Sequence, residues 1–280
     1  MRNYQIGLYE KAMPADLTWK ERMVAAKAAG FDYLELSIDE SDIRLARLDW
    51  TSRERTELYN TARDMGLPFG SICLSAHRKY PLGSTNPAAC ARGLEILDKS
   101  LALASDLGIR YVQIPGYDVY YEQSTPDTVK GFQDHLRECA AMAAKYGVMI
   151  GFETMETPFM DTVQKAMYYL NTISSPYLGI YPDLGNVTNA SLLYGVSVPE
   201  DLKTGAGHII ALHMKETLPG IYRDMPLGAG HVDFKAALHT CWQLGVRRYV
   251  TEFWYHGSDA WRDDIKAAAS LTHGILQSLD

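Results

Sequence analysis

The chain has 280 residues, a formal net charge of −7 and a hydrophobic content of 47%. A chain of this length and composition is ordinary for a soluble globular protein and can bury a large core without disulfides. The acidic balance argues against general binding of nucleic acid, which requires a basic surface. The sequence contains no run of about 18 apolar residues, so no transmembrane segment is expected.

The cysteines are scattered along the chain and form no C-x-x-C pair. Such a pattern predicts reduced, buried thiols in a cytoplasmic protein and disfavours a zinc–thiolate site. The N-terminal stretch "MRNYQIGLYEKAMP" lacks the apolar segment of a signal peptide, which also favours the cytoplasm. The four cysteines are Cys73, Cys90, Cys139 and Cys241.

Short apolar runs alternate with longer segments of helical spacing. Several helices are predicted to end at a glycine just before a strand, as in "AAGFDYLEL" and "KYGVMIGFE", which is typical of parallel α/β units. The sixth unit is the weakest, because "GNVTNASLLYGVSVPEDLKTGAG" gives a poorly defined helix. The eight predicted strands are 5–10, 33–38, 69–75, 111–116, 148–153, 178–183, 209–215 and 249–254.

Eight strand–helix units predict an α/β protein with a single (β/α)8 TIM barrel, formed by residues 1–280 as one domain. A doubly wound sheet is the alternative. That fold usually has a glycine-rich phosphate loop after the first strand, and "LYEKAMPAD" contains no such loop.

Polar residues at the C-terminal ends of barrel strands are candidates for the active site. The fifth strand ends at Glu153, the sixth at Asp183 and the eighth at Glu252, while the seventh carries His213. Without a cation, three carboxylates meeting at one place would repel one another or be desolvated. These four residues therefore predict a site for one divalent metal ion: Mn²⁺, Mg²⁺, Co²⁺ or Zn²⁺.

Two further residues near these strands receive other predictions. Glu156 lies three residues after Glu153 in "GFETMETPFM" and is predicted to be a loop residue at the rim of the pocket. His208 precedes the seventh strand and is expected near the opposite end of the barrel. Neither is predicted to be a metal ligand.

Cations and hydroxyls after the third and seventh strands predict a basic rim for a phosphate or another anionic group. The alternative is that these side chains are simply solvated. The glycine-rich stretch "PLGAGHVDF" at 226–234 offers backbone amides for an anion or is only a turn, with Asp233 as a helix cap. The candidate substrate-binding residues are His77, Arg78, Ser84, Lys215 and Arg223.

Six stretches in this order carry a family resemblance: "YLELSIDESD", "LSAHRKYPLGS", "GFETMETP", "YPDLGN", "IALHMKET" and "PLGAGHVDF". Together they resemble the L-ribulose-5-phosphate 3-epimerases, also called L-xylulose-5-phosphate 3-epimerases, of the xylose-isomerase-like barrel superfamily. The resemblance implies an isomerase that epimerises C3 of a ketopentose phosphate. It also implies that Glu153 and Glu252 are the catalytic pair and that the four residues named above bind the metal.

Related epimerases of free ketoses often have a histidine three residues after the strand-6 aspartate and a second glutamate six residues after the strand-5 ligand. In this chain those positions are Asn186 and Phe159. Both departures weaken the assignment to a free-ketose 3-epimerase, which remains an alternative.

Other functions remain open from the sequence. An aldose–ketose isomerase would use a similar barrel and metal, and a non-enzymatic sugar-binding module would not need acid–base carboxylates. An apurinic endonuclease would require a histidine-rich trinuclear zinc site and a basic surface that binds DNA. The expected partner is a sugar phosphate, with no nucleic acid and no membrane. Trp254, Tyr255 and Trp261 hint at a homodimer interface, but core packing explains them equally well.

Overall fold

The computed structural model describes residues 2–280 and contains a sheet of eight parallel strands in the order β6-β5-β4-β3-β2-β1-β8-β7. Neighbouring units in the chain are neighbours in the sheet, as the regular alternation of strand and helix predicts. The strands are β1 (Gln5–Tyr9), β2 (Tyr33–Ile38), β3 (Phe69–Leu74), β4 (Tyr111–Pro115), β5 (Met149–Glu153), β6 (Leu178–Tyr181), β7 (Leu212–Met214) and β8 (Arg248–Thr251).

The sheet curls into a barrel. β1 pairs in parallel with β8, and two parallel bridges, Ile180 with Ile209 and Asp183 with His213, join β6 to β7. The predicted TIM barrel is therefore confirmed. The assignment of residues 1–280 to one domain stays a prediction.

The helices surround the barrel and begin and end at the residues that the sequence patterns indicate. Thr18 and Thr51 form capping boxes, and Gly30, Gly66 and Gly147 end helices with positive φ. The helices are α1 (Trp19–Ala29), α2 (Asp42–Leu45), α3 (Ser52–Met65), α4 (Pro87–Asp106), α5 (Pro126–Tyr146), α6 (Val163–Ile173), α7 (Leu184–Tyr194), α8 (Val198–Thr204), α9 (Phe234–Gln243) and α10 (Trp261–Gln277).

The sixth unit is better ordered than its sequence indicates. Asp183 caps α7 by accepting a hydrogen bond from the Asn186 backbone N–H at 2.7 Å. Gly195 ends this helix with a φ of 67°, and Ser197 caps α8. The seventh strand is shorter than the predicted 209–215, because regular pairing covers only Leu212–Met214.

The inside of the barrel differs from the layer between barrel and helices. The outer layer is a continuous apolar core that includes Ile6, Leu34, Ile72 and Phe152. Inside the barrel, buried aromatic rings lie among buried polar side chains, whereas most TIM barrels fill this space with branched aliphatic residues. These interior residues include Tyr9, Tyr33, Glu35, Ser71, Cys73, Gln113, Tyr181 and His213.

The four cysteines are buried and free, as predicted. Among residues 2–280, no helix combines the length and the apolar character needed to cross a membrane.

Candidate metal centre

Four predicted ligands converge at the C-terminal end of the barrel. Glu153 is the last residue of β5, Asp183 lies just beyond β6, His213 is in β7, and Glu252 follows β8. One ligand atom from each residue lies within 4.8 Å of the others, and all four side chains are buried. Adjacent parallel strands thus bring together residues that are far apart in the sequence.

His213 is at the centre of this cluster. Its Nδ1 lies 2.9 Å from Glu153 Oε1 and 3.5 Å from Glu252 Oε2, and its Nε2 lies 2.6 Å from Glu35 Oε1. Burial alone would lower the pKa of the imidazole, but the carboxylates of Glu35, Glu252 and Glu153 outweigh it and raise that pKa well above its usual value.

The two carboxylate oxygens of Asp183 contact different partners. Oδ1 caps α7, and Oδ2 lies 2.9 Å from Lys215 Nζ. Burial raises the pKa of Asp183 to about 6, and the Lys215 ammonium limits the rise. Burial would lower the pKa of Lys215, but Asp183 and Glu252 raise it overall, so the lysine is positively charged.

The residues present fit a divalent cation. Three carboxylates and an imidazole are oxygen and nitrogen donors of the kind that hard and borderline divalent ions prefer. Within the part of the chain that the structure describes, Glu252 Oε2 is buried without a hydrogen-bond partner. A buried carboxylate oxygen without a donor is costly, and a cation at this position would satisfy it.

Two polar residues that the sequence analysis missed support the cluster from inside the barrel. Gln113 of β4 donates a hydrogen bond from Nε2 to Glu153 Oε2 at 2.6 Å. Glu35 of β2 contacts the other side of the His213 ring. The available signal was a polar residue enclosed in a buried apolar run, Gln113 in "YVQIP" and Glu35 in "YLELSI".

A cavity of about 90 Å³ opens beside the cluster. It combines acidic side chains at the metal centre with several cations. A larger cavity of about 480 Å³ lies at the N-terminal end of the barrel beside His208, as expected for that histidine, and away from the predicted ligands. The smaller cavity is lined by Tyr9, Lys11, Cys73, Ser75, Arg78, Glu153, Met155, Glu156, Lys215, Tyr222, Arg223, Glu252 and Trp254.

Three of the five predicted substrate-binding residues line this cavity: Arg78, Lys215 and Arg223. His77 and Ser84 lie elsewhere, which corrects their expected position. His77 is buried and its Nε2 contacts the Gly93 carbonyl oxygen at 3.1 Å, while Ser84 Oγ donates to Glu122. Burial lowers the pKa of His77 to about 4, so the ring is neutral at pH 7.

The backbone after β3 explains this outcome. Ser75–Arg78 forms a turn of 3-10 helix, in which residues three apart share a face. Ser75 and Arg78 therefore both face the cavity, whereas His77 turns toward α4.

Glu156 lines the same cavity as the two arginines. It accepts a hydrogen bond from the Tyr117 hydroxyl and lies 3.6 Å from Arg223 Nη2. Burial would raise the pKa of Glu156, but the Tyr117 hydrogen bond and the Arg78 charge lower it overall. Arg78 packs over the Tyr120 ring, and its buried Nε has no hydrogen-bond partner among residues 2–280.

The glycine-rich stretch at 226–234 binds an anion, but that anion is a side chain of the protein. The Glu216 carboxylate accepts hydrogen bonds from the backbone N–H groups of Gly228 at 2.8 Å and Val232 at 3.1 Å. Asp233 caps α9, as predicted. These amides are therefore already satisfied, and the stretch orders the loop after β7.

Asn186 and Phe159 make contacts of different kinds. Asn186 is buried, accepts a hydrogen bond from Lys215 Nζ at 2.8 Å and donates one to the Thr154 carbonyl oxygen. Phe159 packs edge-on against Phe132 at a centroid distance of 5.1 Å.

The aromatic residues near β8 are not the most exposed apolar side chains. Trp261 is buried at the start of α10, and Trp254 packs edge-on against Tyr9 in the wall of the cavity. Their exposure therefore gives no support to an interface at this place.

The chain has clear relatives of known fold and name. The family model described as xylose isomerase-like TIM barrel matches residues 23–271. The chain is 42% identical over 250 residues to the L-ribulose-5-phosphate 3-epimerase UlaE of Salmonella paratyphi A, a match covering 89% of this chain and 87% of that protein. The protein of the same name from Escherichia coli O139:H28 matches with the same identity and coverage.

Solved structures of sugar epimerases share the fold. A D-psicose 3-epimerase in the presence of D-fructose matches with a TM-score of 0.81 at 14% identity, over 97% of this chain and 99% of that one. An L-ribulose 3-epimerase matches with a TM-score of 0.77 at 20% identity, over 98% of this chain and 95% of the other. At these identities the likeness establishes the fold alone.

Proposed function

This chain belongs to the family of xylose isomerase-like TIM barrels and, within it, to the L-ribulose-5-phosphate 3-epimerases, and on that premise we propose that it interconverts L-xylulose 5-phosphate and L-ribulose 5-phosphate with one divalent metal ion. The observation that carries the proposal is the approach of Glu153 and Glu252, from β5 and β8, to the same nitrogen of His213. Inversion of a carbon centre without reorientation of the bound substrate requires an acid–base group on each face of that carbon.

The proposed reaction begins with removal of the C3 proton, which lies next to the C2 carbonyl. One glutamate takes the proton, the C–H electrons form a C2–C3 double bond, and the carbonyl π electrons move to O2. The other glutamate, in its protonated form, then gives its proton to the opposite face of C3, where the C2–C3 π electrons form the new C–H bond and the electrons on O2 restore the carbonyl. The two carboxylates exchange roles in the reverse reaction, and no net oxidation or reduction occurs.

Glu153, Asp183, His213 and Glu252 would hold the cation. When bound, a divalent ion supplies Lewis-acid polarisation of the C2 carbonyl and stabilises negative charge that develops on the substrate. Gln113 holds one Glu153 oxygen in place through its hydrogen bond of 2.6 Å. Lys215 holds Asp183 and presents a fixed positive charge to the cavity.

The phosphate of the substrate is assigned to the arginine side of the cavity. Arg78 and Arg223 line it, and both carry guanidinium groups suited to bidentate recognition of phosphate. Arg78 also has a buried, unpaired Nε–H within the described chain. Glu156 pairs only loosely with Arg223, at 3.6 Å, so a dianionic phosphate would compete well for that cation.

The substrate assignment is tested by NMR of the purified protein with Mg²⁺ and either pentulose 5-phosphate. Signals of the C3 epimer are expected to grow, and EDTA is expected to stop their growth. Formation of an aldose would instead identify an aldose–ketose isomerase. Activity on a free ketose with none on its phosphate would identify a free-ketose 3-epimerase. No turnover of either kind of sugar would favour a non-enzymatic sugar-binding module.

The proposal includes a homodimer built on an exposed apolar surface of α7 and the loop after β7. Leu192, Leu193 and Ile221 are 59%, 69% and 53% exposed. Neither α7 nor residues 217–222 of the loop contain a charged residue. Two copies with a net charge of −7 can therefore meet at this surface without direct repulsion between charged side chains. Light scattering of Leu193→Asp is expected to show a monomer, with Ile43→Asp on α2 as the control.

A cytoplasmic location is also proposed, on the grounds that all four cysteines are buried free thiols. The acidic net charge of −7 supports a small-molecule substrate over nucleic acid as the partner. Binding to DNA or RNA at physiological salt would contradict this part of the proposal.

A further inference from the structure

Glu35 is a carboxylate buried in the interior of the barrel, below the metal centre. It lies in the middle of β2, between Leu34 and Leu36, and is fully excluded from solvent. Alternation along the strand turns its two leucine neighbours outward into the helix layer and Glu35 inward. A buried carboxylate adds little to fold stability when an apolar residue could fill the same place, so its presence here indicates a more specific task.

Both oxygens of Glu35 are engaged. Oε2 accepts hydrogen bonds from Ser71 Oγ at 2.6 Å and from Tyr181 Oη at 2.9 Å. Oε1 lies 2.6 Å from His213 Nε2. The two hydroxyl donors on β3 and β6 therefore fix the carboxylate, and its remaining oxygen is aimed at the imidazole.

This arrangement fixes the orientation of the His213 ring. A carboxylate whose Oε2 already receives two hydroxyl donors presents Oε1 as an acceptor, so Nε2 carries the hydrogen. When the ring gives up its second proton, as a metal ligand must, the lone pair is on Nδ1, which faces Glu153 and Glu252. Carboxylates that hold a metal-ligating histidine in this way fix its tautomer and raise its basicity.

We propose that Glu35 is a positioning residue, which holds His213 with Nδ1 turned toward Glu153 and Glu252 and so sets the affinity of the centre for a divalent cation. This inference rests on the metal centre of the proposed function and extends it into the barrel interior. Glu35 does not line the cavity, so it acts through His213 and not on the substrate.

The test measures Mn²⁺ binding by isothermal titration calorimetry in the absence of substrate. Glu35→Gln keeps the shape of the side chain but removes its charge, and the dissociation constant is expected to rise roughly 10- to 100-fold. Ser71→Ala removes one donor that fixes Glu35, and a smaller rise, about threefold, is expected. Ser100→Ala deletes an equally buried hydroxyl, on α4, and is the matched control.

A folded Glu35→Gln protein that binds Mn²⁺ as tightly as the wild type would overturn the inference. If that variant does not fold, equal Mn²⁺ affinities of Ser71→Ala and Ser100→Ala would overturn it instead. Failure of the wild type to bind Mn²⁺ would also reject it. Because no substrate is used, a protein that binds Mn²⁺ through this arrangement but epimerises no pentulose phosphate would reject the proposed function alone.

Activity provides a second readout. A residue that acts only through metal affinity should leave kcat nearly unchanged once Mn²⁺ saturates the site. Glu35→Gln is therefore expected to regain most of the wild-type kcat at high Mn²⁺ concentration. A kcat that stays low at saturation would show that Glu35 does more than position His213, and would contradict the inference as stated.

Discussion

The two halves of the barrel contribute differently to the candidate site. Strands β5–β8 provide the four candidate ligands, each at or next to a strand end. Strands β1–β4 and their loops provide side chains that hold those ligands or line the rest of the cavity, among them Glu35, Gln113 and Arg78. Metal donors must lie within a few ångströms of one another, so they come from neighbouring strands, while the other half remains free to contact the rest of the substrate.

This division explains which parts of the site could be predicted from the sequence. In the second half, each apolar strand has a carboxylate or a histidine at or near its end, and the barrel fold alone brings these ends together. Glu153, Asp183, His213 and Glu252 could be selected on that basis.

The first half is harder to predict because its polar residues are enclosed in apolar runs. Glu35 and Gln113 face the barrel interior, and inward and outward positions cannot be separated in strands that are buried on both faces. His77 was misplaced for another reason. The direction of a loop side chain depends on backbone geometry, here a 3-10 turn, which the sequence pattern did not reveal.

The fold itself was predictable to within a few residues at most strand ends. Helix caps such as Thr18 and terminal glycines such as Gly147 are local signals, and they determine where the helices begin and end. The hydrogen bond from the glycine-rich turn to Glu216 was not predictable, because it joins residues 12 positions apart within one irregular loop.

The largest expected loss of activity comes from substitution of the two glutamates, Glu153 and Glu252, in the second half of the barrel. Glu153→Gln and Glu252→Gln each remove one of the two acid–base groups, and each is expected to lower the epimerisation rate by about 10²- to 10⁴-fold. The measurement is ¹H NMR in D₂O with saturating Mg²⁺. Residual exchange of the C3 proton is expected from a different epimer in each variant, because each remaining glutamate serves only one face.

Thermal unfolding of both variants provides the control, since the loss of rate must occur in folded protein. Near wild-type epimerisation in either variant would remove that glutamate from the mechanism. Exchange from the same epimer in both variants would contradict the assignment of one glutamate to each face.

The second prediction concerns the cations that line the cavity from the two halves. Arg78→Met and Arg223→Met keep the apolar stem but remove the guanidinium. Loss of a charge-assisted hydrogen bond is worth about 1.5–3 kcal/mol, so KM for the pentulose phosphate should rise roughly 10- to 100-fold with little change in kcat. Lys79→Met, beside Arg78 but outside the cavity lining, is the matched control.

Steady-state kinetics with phosphorylated and free pentulose distinguish a phosphate contact from a general defect. Weak activity on the free sugar should be unaffected by either arginine substitution. If KM rises equally for both sugars, or if Lys79→Met behaves like Arg78→Met, the phosphate is bound elsewhere.

The smallest expected effect on activity concerns His77, which the sequence analysis placed at the site and the structure places against α4. His77→Gln should leave kcat/KM within about twofold of the wild type at neutral pH, because surface and packing positions outside a site contribute little to catalysis. Its effect should instead be on stability. Burial holds the folded-state pKa at about 4, whereas an unfolded histidine titrates near 6.5.

The direction in which the free energy of unfolding changes with pH follows from proton binding. Below about pH 6.5 the unfolded chain takes up a proton that folded His77 does not, so the free energy of unfolding falls as the pH drops toward about 4, by up to about 3 kcal/mol. His77→Gln should remove this component and flatten the curve by that amount. Urea unfolding of both proteins from pH 7 to pH 4.5, with EDTA present to exclude metal effects, measures the difference. Parallel curves would mean that His77 is already solvated in the folded protein, and a loss of activity comparable to that of Arg78→Met would return it to the substrate pocket.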